Sequence, residues 1–85
     1  MATYDLLIKK EAEKEIANLP KPDLERVAQK IRGLAQDPRP HGSEKLKGEE
    51  GFRVRQGDYR IVYLIDDARK IVRIIRVGHR REVYR

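Results

Sequence analysis

Phe52-Arg53-Val54-Arg55-Gln56-Gly57-Asp58-Tyr59-Arg60-Ile61-Val62-Tyr63-Leu64-Ile65 is the stretch on which the fold turns. Side chains along a strand point alternately to its two faces. Here Phe52 and Val54 alternate with Arg53 and Arg55, and Arg60 stands opposite Tyr59, Ile61, Tyr63 and Ile65. Gln56-Gly57-Asp58 between the two runs supplies a turn, so the pair reads as a β-hairpin. Asp66-Asp67-Ala68 turns the chain again into a third strand-like run at 71–77, where strict alternation puts Arg73 and Arg76 on opposite faces. Gly78 breaks this pattern and leaves 79–85 as a basic tail.

Upstream, residues 38–51 are loop-rich, with Leu46 as their one apolar anchor. Before them the apolar spacing changes from two to helical. Leu24, Val27, Ala28, Ile31, Leu34 and Ala35 form one stripe over three turns. Pro22 suits the first turn of that helix, Asp23 and Glu25 favour its positive end, and Asp37-Pro38 ends it. A shorter helix over about 10–19 carries Ala12, Ile16 and Leu19 on one side and stops at Pro20. Only a Pro-Lys link separates the two, which predicts an antiparallel helical hairpin. Tyr4, Leu6 and Ile8 share a face of a first strand over 4–8. The order is therefore strand, helix, helix, three strands. It predicts one α+β domain over 1–85, a mostly antiparallel sheet with the hairpin on one face and the other face partly open.

Eighty-five residues allow one modest core that buries roughly 60–65% of the unfolded surface. No cysteine is present, which excludes disulfides and thiolate metal sites. The longest apolar run, 61–65, is far short of the ~20 residues that span a bilayer, and the amino terminus lacks a secretory stretch. These features read as a cytoplasmic protein with no membrane partner.

Charge is distributed unevenly. Residues 1–52 carry ten Lys/Arg against ten Asp/Glu, whereas 53–85 carry nine arginines and one lysine against four carboxylates. The whole net charge of +6 thus sits in the last segment. Solubility alone does not require a change from lysine to arginine, but two-point recognition of phosphate or carboxylate does. Nucleic acid is the leading partner class, followed by an acidic protein.

The hairpin makes it geometrically easy for Arg53, Arg55 and Arg60 to share a face and, with Arg80 or Arg81, to form a concave anion site. A solvated polar face with scattered arginines is the alternative, and alternation alone does not decide between them. His79, beside Arg80 and Arg81, is a candidate proton acceptor or an inert loop histidine. Tyr84 is a candidate general acid/base or stacking surface, or an aromatic that docks the tail. Phe52, Tyr59 and Tyr63 read as core, and His41 has no assigned role. The carboxylates do not approach metal-ligand spacing, and there is no phosphate-binding glycine loop, Ser/His/Asp set or zinc motif. Chemistry on a phosphodiester would then rest on arginine electrostatics and a Tyr or His proton carrier. RNA suits this, because its own 2′-hydroxyl supplies the nucleophile.

The segments Lys45-Leu46-Lys47-Gly48, Phe52-Arg53-Val54-Arg55, Gly57-Asp58-Tyr59-Arg60-Ile61-Val62-Tyr63 and Arg76-Val77-Gly78-His79-Arg80-Arg81-Glu82-Val83-Tyr84 resemble the RelE branch of the RelE/ParE toxins of type II toxin–antitoxin systems. The resemblance covers essentially the whole chain, and it is most specific in the last two strings. It implies a microbial-ribonuclease-like fold and a cofactor-free, metal-independent endoribonuclease. Such an enzyme cuts mRNA in the ribosomal A site, leaves a 2′,3′-cyclic phosphate and so inhibits translation. Position by position, it implies catalytic roles for Arg53, Arg55, Arg60, Arg80 and Tyr84, with His79 as a further candidate, and RNA binding by Lys45, Lys47 and Arg81. The best-studied branch has lysines at the positions of Arg53 and Arg55, and a lysine where His79 stands. A RelB-like antitoxin is the implied partner, and through it operator DNA. The sequence stops at Arg85, so inhibition by displacing a longer C-terminal helix is not expected. The ParE branch shares the fold and inhibits DNA gyrase, which leaves a gyrase inhibitor, and a bare nucleic-acid-binding module, as alternatives.

Overall fold

Apolar alternation on three successive strands gives the chain one central sheet, and the computed structural model describes residues 3–48 and 50–79 of it. The elements are β1 (Asp5–Ile8), α1 (Lys10–Ala17), α2 (Lys21–Gln36), β2 (Glu44–Lys45), β3 (Phe52–Gln56), β4 (Tyr59–Asp66) and β5 (Ile71–His79). The strands lie in the order β1-β5-β4-β3-β2. β1 runs parallel to β5 and every other pairing is antiparallel. This is the α+β arrangement that the order of periodicities predicts.

The core lies between the helices and one sheet face. Ala12, Val27, Ile31 and Leu34 meet Val54, Ile61, Tyr63, Val72, Ile74 and Val77, all buried. The α2 stripe supplies three of these side chains, and Pro22 and Asp23 sit in its first turn as its amino end requires. α1 is shorter than the predicted span. After Ala17 the N–H of Asn18 reaches the carbonyls of Lys14 and Glu15, and Leu19 bonds back to Ile16, a tight closure that leads into Pro20. Gly57 begins the two-residue β3–β4 turn with φ 62°, a conformation a side chain would strain.

Three features differ from the pattern of the sequence. Glu44 and Lys45, inside the apparent loop, form a short strand opposite Arg53 and Phe52. Two residues are too few to show any period, and the pairing is held by the backbone bond from Leu46 N to the Gly51 carbonyl at 3.0 Å. β5 continues through Gly78 to His79, because a ladder is made by main-chain groups and Gly78 pairs opposite Arg60. A β-bulge also breaks strict alternation: Val62 faces Arg76 while Tyr63 faces Ile74, with Ile75 left over. Arg73 and Arg76 therefore share the open face instead of dividing between faces.

The sheet edges are treated differently. β1 covers β5 only along Ile71–Ile74. Beyond it, α1 closes the edge: the Val77 N–H donates to Glu15 Oε1 at 2.8 Å, and Arg76 pairs with Glu15 Oε2 at 2.9 Å. Among the described residues no strand pairs with the outer edge of β1, and Leu7 and Ile8 are 44% and 40% exposed. No described helix is long and apolar enough to cross a membrane.

Two polar contacts lock the far end of the sheet. The buried Tyr63 hydroxyl donates to the Pro38 carbonyl at 2.7 Å, fixing the chain after α2 to β4. Asp67 accepts from Tyr4 at 2.6 Å and from Arg39 at 2.9 Å, joining β1, the post-helix loop and the β4–β5 turn. Burial pushes the Tyr63 phenol up. The hydrogen bond to Asp67 likewise raises the Tyr4 phenol. The bonds from Arg39 and Tyr4 hold the Asp67 carboxyl at about 2.

Tyr63→Phe leaves the Pro38 carbonyl without its donor and is expected to cost about 1–2 kcal/mol in urea unfolding. An unchanged midpoint would show that the bond contributes nothing. A carboxyl held below its unfolded value adds stability above that value, which fades as pH falls through the folded one. The stability gap between wild type and Asp67→Asn should therefore be full above pH ~4 and close by pH ~2, and a gap independent of acid would contradict the assignment.

Candidate functional site

Hairpin register brings the arginines together. Arg55 lies directly opposite Arg60, and Arg53 opposite Val62, two residues along the same face. Because Val54, Ile61 and Tyr63 are buried under the helices, all three arginines project from the open face. Like charges placed directly across a strand pair repel. Pairing Arg55 with Arg60 thus offers nothing to the fold, whereas an anion held between them would turn the repulsion into binding energy. Next to Arg60 across the ladder is Gly78, which adds no side chain to that face.

The three arginines line a concavity of about 290 Å³ together with Gly42, Glu44 and Val54. Arg60 and Arg53 are half-buried and Arg55 is exposed. The Arg55 Nε donates to the Gly57 carbonyl at 3.3 Å, which leans the guanidinium toward the hairpin turn. Arg53 grips Glu44, Nε at 3.0 Å and Nη2 at 2.8 Å from the same carboxylate oxygen. Among the described residues Glu44 is the one carboxylate in the lining, and sequence reading missed it. Only the β2–β3 register carries it to Arg53, and a two-residue strand leaves no signal for that.

The other sequence-predicted residues are placed apart. Lys45 pairs opposite Phe52 and lines a separate cavity of about 520 Å³ with Arg39, Arg69 and Arg73. Lys47 is exposed in the β2–β3 connection. His79 ends β5 opposite Tyr59 and meets that ring edge-on, centroids 6.0 Å apart. Its register is that of Ile61 and Val77, the helix-covered face, so it is not brought together with the arginines. Arg80, Arg81 and Tyr84 lie outside the described residues. Arg76 is held by Glu15. Arg73, opposite Leu64, stands roughly 13 Å along the sheet from Arg60. Among the described residues no three His, Cys, Asp or Glu side chains converge as a metal site.

A family model described as the ParE toxin of type II toxin–antitoxin systems matches residues 6–84. The chain belongs to the RelE/ParE toxin superfamily. Toxin RelG of Mycobacterium tuberculosis is 50% identical over 34 residues, a match that spans 40% of this chain and 39% of that toxin. A chain of the M. tuberculosis toxin–antitoxin complex RelBE2 superposes with a TM-score of 0.82 at 31% identity, covering 92% of this chain and 99% of the other. A mutant of the E. coli toxin RelE in its free state gives a TM-score of 0.79 at 26% identity, covering 96% and 88%. The RelE/ParE fold expected from the strings at 57–63 and 76–84 is thus the fold of this chain, and the protein is a toxin of the type II class.

Glu44 is the counter-charge at this RelE/ParE site, so removing its charge should free Arg53 for an added anion. Glu44→Gln is expected to bind inorganic phosphate several-fold more tightly, read from the arginine Nε–H signals in a titration. Weaker binding would mean that Glu44 positions Arg53 instead of competing for it.

Proposed function

We propose that this toxin is a ribosome-dependent, metal-independent endoribonuclease that cuts mRNA in the A site and so inhibits translation. The observation that carries the reading is the cavity in which Arg53, Arg55 and Arg60 converge on the open face. RelE toxins among the similar structures support it. The 2′-oxygen upstream of the scissile bond attacks the neighbouring phosphorus as its proton passes to a base. The P–O5′ bond breaks, the leaving 5′-oxygen takes a proton, and a 2′,3′-cyclic phosphate remains.

The arginines hold the phosphate in line and stabilise the charge that grows on its non-bridging oxygens. They stay protonated throughout and cannot move the proton themselves. That role is assigned to Tyr84, with Arg80 completing the clamp and Lys45, Lys47 and Arg81 binding flanking RNA. His79 is the second candidate carrier, disfavoured because its strand register faces away from the arginines. A phosphate entering beside Arg53 would displace Glu44 from its ion pair.

A RelB-like antitoxin is the proposed partner, as in the RelBE2 complex, and through it operator DNA. An acidic, partly disordered chain suits the basic surface and would fold as it wraps the domain. The outer edge of β1, with which no described strand pairs, is where such a segment would add a strand. The competing reading is a gyrase inhibitor without nuclease activity, favoured by the ParE description of the matching family model.

Primer extension on cellular mRNA after induction separates the two. Codon-phased cuts are expected, and intact mRNA with an SOS response would establish the gyrase reading. Arg60→Ala should abolish growth arrest in a folded protein, with single-turnover cleavage slowed ~10²–10³-fold. A tyrosine base gains activity as pH rises above neutral. Wild-type cleavage should therefore climb from pH 6 to 9 and Tyr84→Phe should be slow throughout. Full rate in Tyr84→Phe beside a hundredfold loss in His79→Gln would transfer the role to the histidine. Expression of the toxin alone without harm to the cell would count against the antitoxin pairing.

A further inference from the structure

Main-chain groups of β1 point away from the sheet. The Asp5 N–H donates to the Lys70 carbonyl at 2.8 Å, and the Lys9 N–H to the Ile74 carbonyl at 2.9 Å. Both bonds run toward β5. Alternate residues of a strand direct their N–H and C=O groups to opposite sides. Leu6 and Ile8 therefore turn theirs outward, and among the described residues nothing takes them up. Before Asp5 the Tyr4 N–H is turned to the Ala35 carbonyl at 2.8 Å, which bounds the outward run at its start.

The side chains along this edge carry a second pattern. Asp5, Leu7 and Lys9 alternate onto the open face, where Leu7 pairs opposite Arg73. Leu6 and Ile8 belong to the helix side, opposite the buried Val72 and Ile74. Asp5 and Lys9 are exposed, and among the described residues neither enters an ion pair. An aspartate and a lysine thus flank an exposed leucine at equal spacing. Such a strand is complementary to its own reverse.

We infer that two copies of this chain pair through β1, edge to edge and antiparallel, about a twofold axis at Leu7. This register sets Leu7 against its counterpart and Asp5 against Lys9 of the other copy. Leu6 and Ile8 then form the hydrogen-bonded pairs, so each outward N–H meets a carbonyl. Leu7 falls at a non-hydrogen-bonded pair, where facing side chains are closest. An axis at Leu6 or at Ile8 would also match the main-chain groups, but it would set Asp5 or Lys9 opposite leucine. Charge selects the register. The interface is isologous, with the same patch on both copies, and it covers an apolar edge that would otherwise invite unspecific pairing. Both open faces lie on one side of the joined sheet, because the axis stands perpendicular to it. The antitoxin strand proposed above would take the same outward groups, so it and a second copy exclude each other. This pairing does not depend on the nuclease reading.

A short strand makes a small interface, so the pairing should be reversible. In analytical ultracentrifugation the mass should rise from 10.0 kDa toward twice that value between ~10 µM and ~1 mM. Asp5→Lys and Lys9→Asp each set like charges opposite one another, and each should weaken pairing roughly tenfold. Their equimolar mixture should recover it, since each variant supplies the charges that the other lacks. The chain contains no cysteine, so Leu7→Cys gives one thiol per copy, placed at the axis. It should form a disulfide-linked dimer under mild oxidation. Thr3→Cys should not, because its two copies would stand well beyond the ~7 Å that a disulfide spans between Cα atoms. A mass that stays at one chain throughout, or equal cross-linking at the two positions, would overturn the inference. Self-association that survives both charge variants would overturn it too, as would folded variants whose mixture does not recover.

Discussion

Burial of Ile61 and Tyr63 beneath α2 is the constraint from which the rest of this molecule follows. Strand side chains alternate, so placing these two in the core compels Arg60 and Val62 to the opposite face. The same parity carries through the hairpin, where buried Val54 sends Arg53 and Arg55 outward. One hydrophobic decision on β4 thus produces the cationic face through strand parity. The repulsion between Arg55 and Arg60 is tolerated because the core beneath them sets the register.

The basic residues divide by what they touch. Arg39 is structural: it pairs with Asp67 and its guanidinium lies 5.3 Å over the Phe52 ring. The Asp67 bond raises its already high affinity for a proton, so it stays charged in any accessible solvent. Arg76 is structural too, since with Val77 it draws Glu15 against the part of β5 that β1 leaves bare. This contact blunts one sheet edge and holds α1 in place. Arg53 sits between the classes, in contact with a carboxylate that an incoming phosphate would replace. Net charge alone therefore overstates how much of the C-terminal segment is available to a ligand.

On the proposed nuclease reading, three converging arginines on the open face are enough for much of the chemistry. A substrate that brings its own nucleophile needs alignment and charge stabilisation more than reactive side chains. A rigid hairpin with a two-residue turn can supply both, since its guanidinium positions are set by strand register.

Much of this was legible in the residues. The α2 stripe, the Gly57 turn, the hairpin and the order of elements follow from local periodicity and turn chemistry, because these depend on neighbours in the chain. The RelE/ParE membership was legible in the strings around Arg60 and His79. Tertiary structure alone decided the rest. The bulge at Ile75 put Arg73 and Arg76 on one face, which no alternation rule foresees. Backbone pairing carried β5 through Gly78 and brought Glu44 to Arg53. Lys45 and His79 were directed away from the arginine cavity by the parity of their partners. Sequence specifies which face of each element must be buried. Which side chains then meet depends on register between distant strands, and main-chain hydrogen bonds set that register irrespective of the side chains they carry.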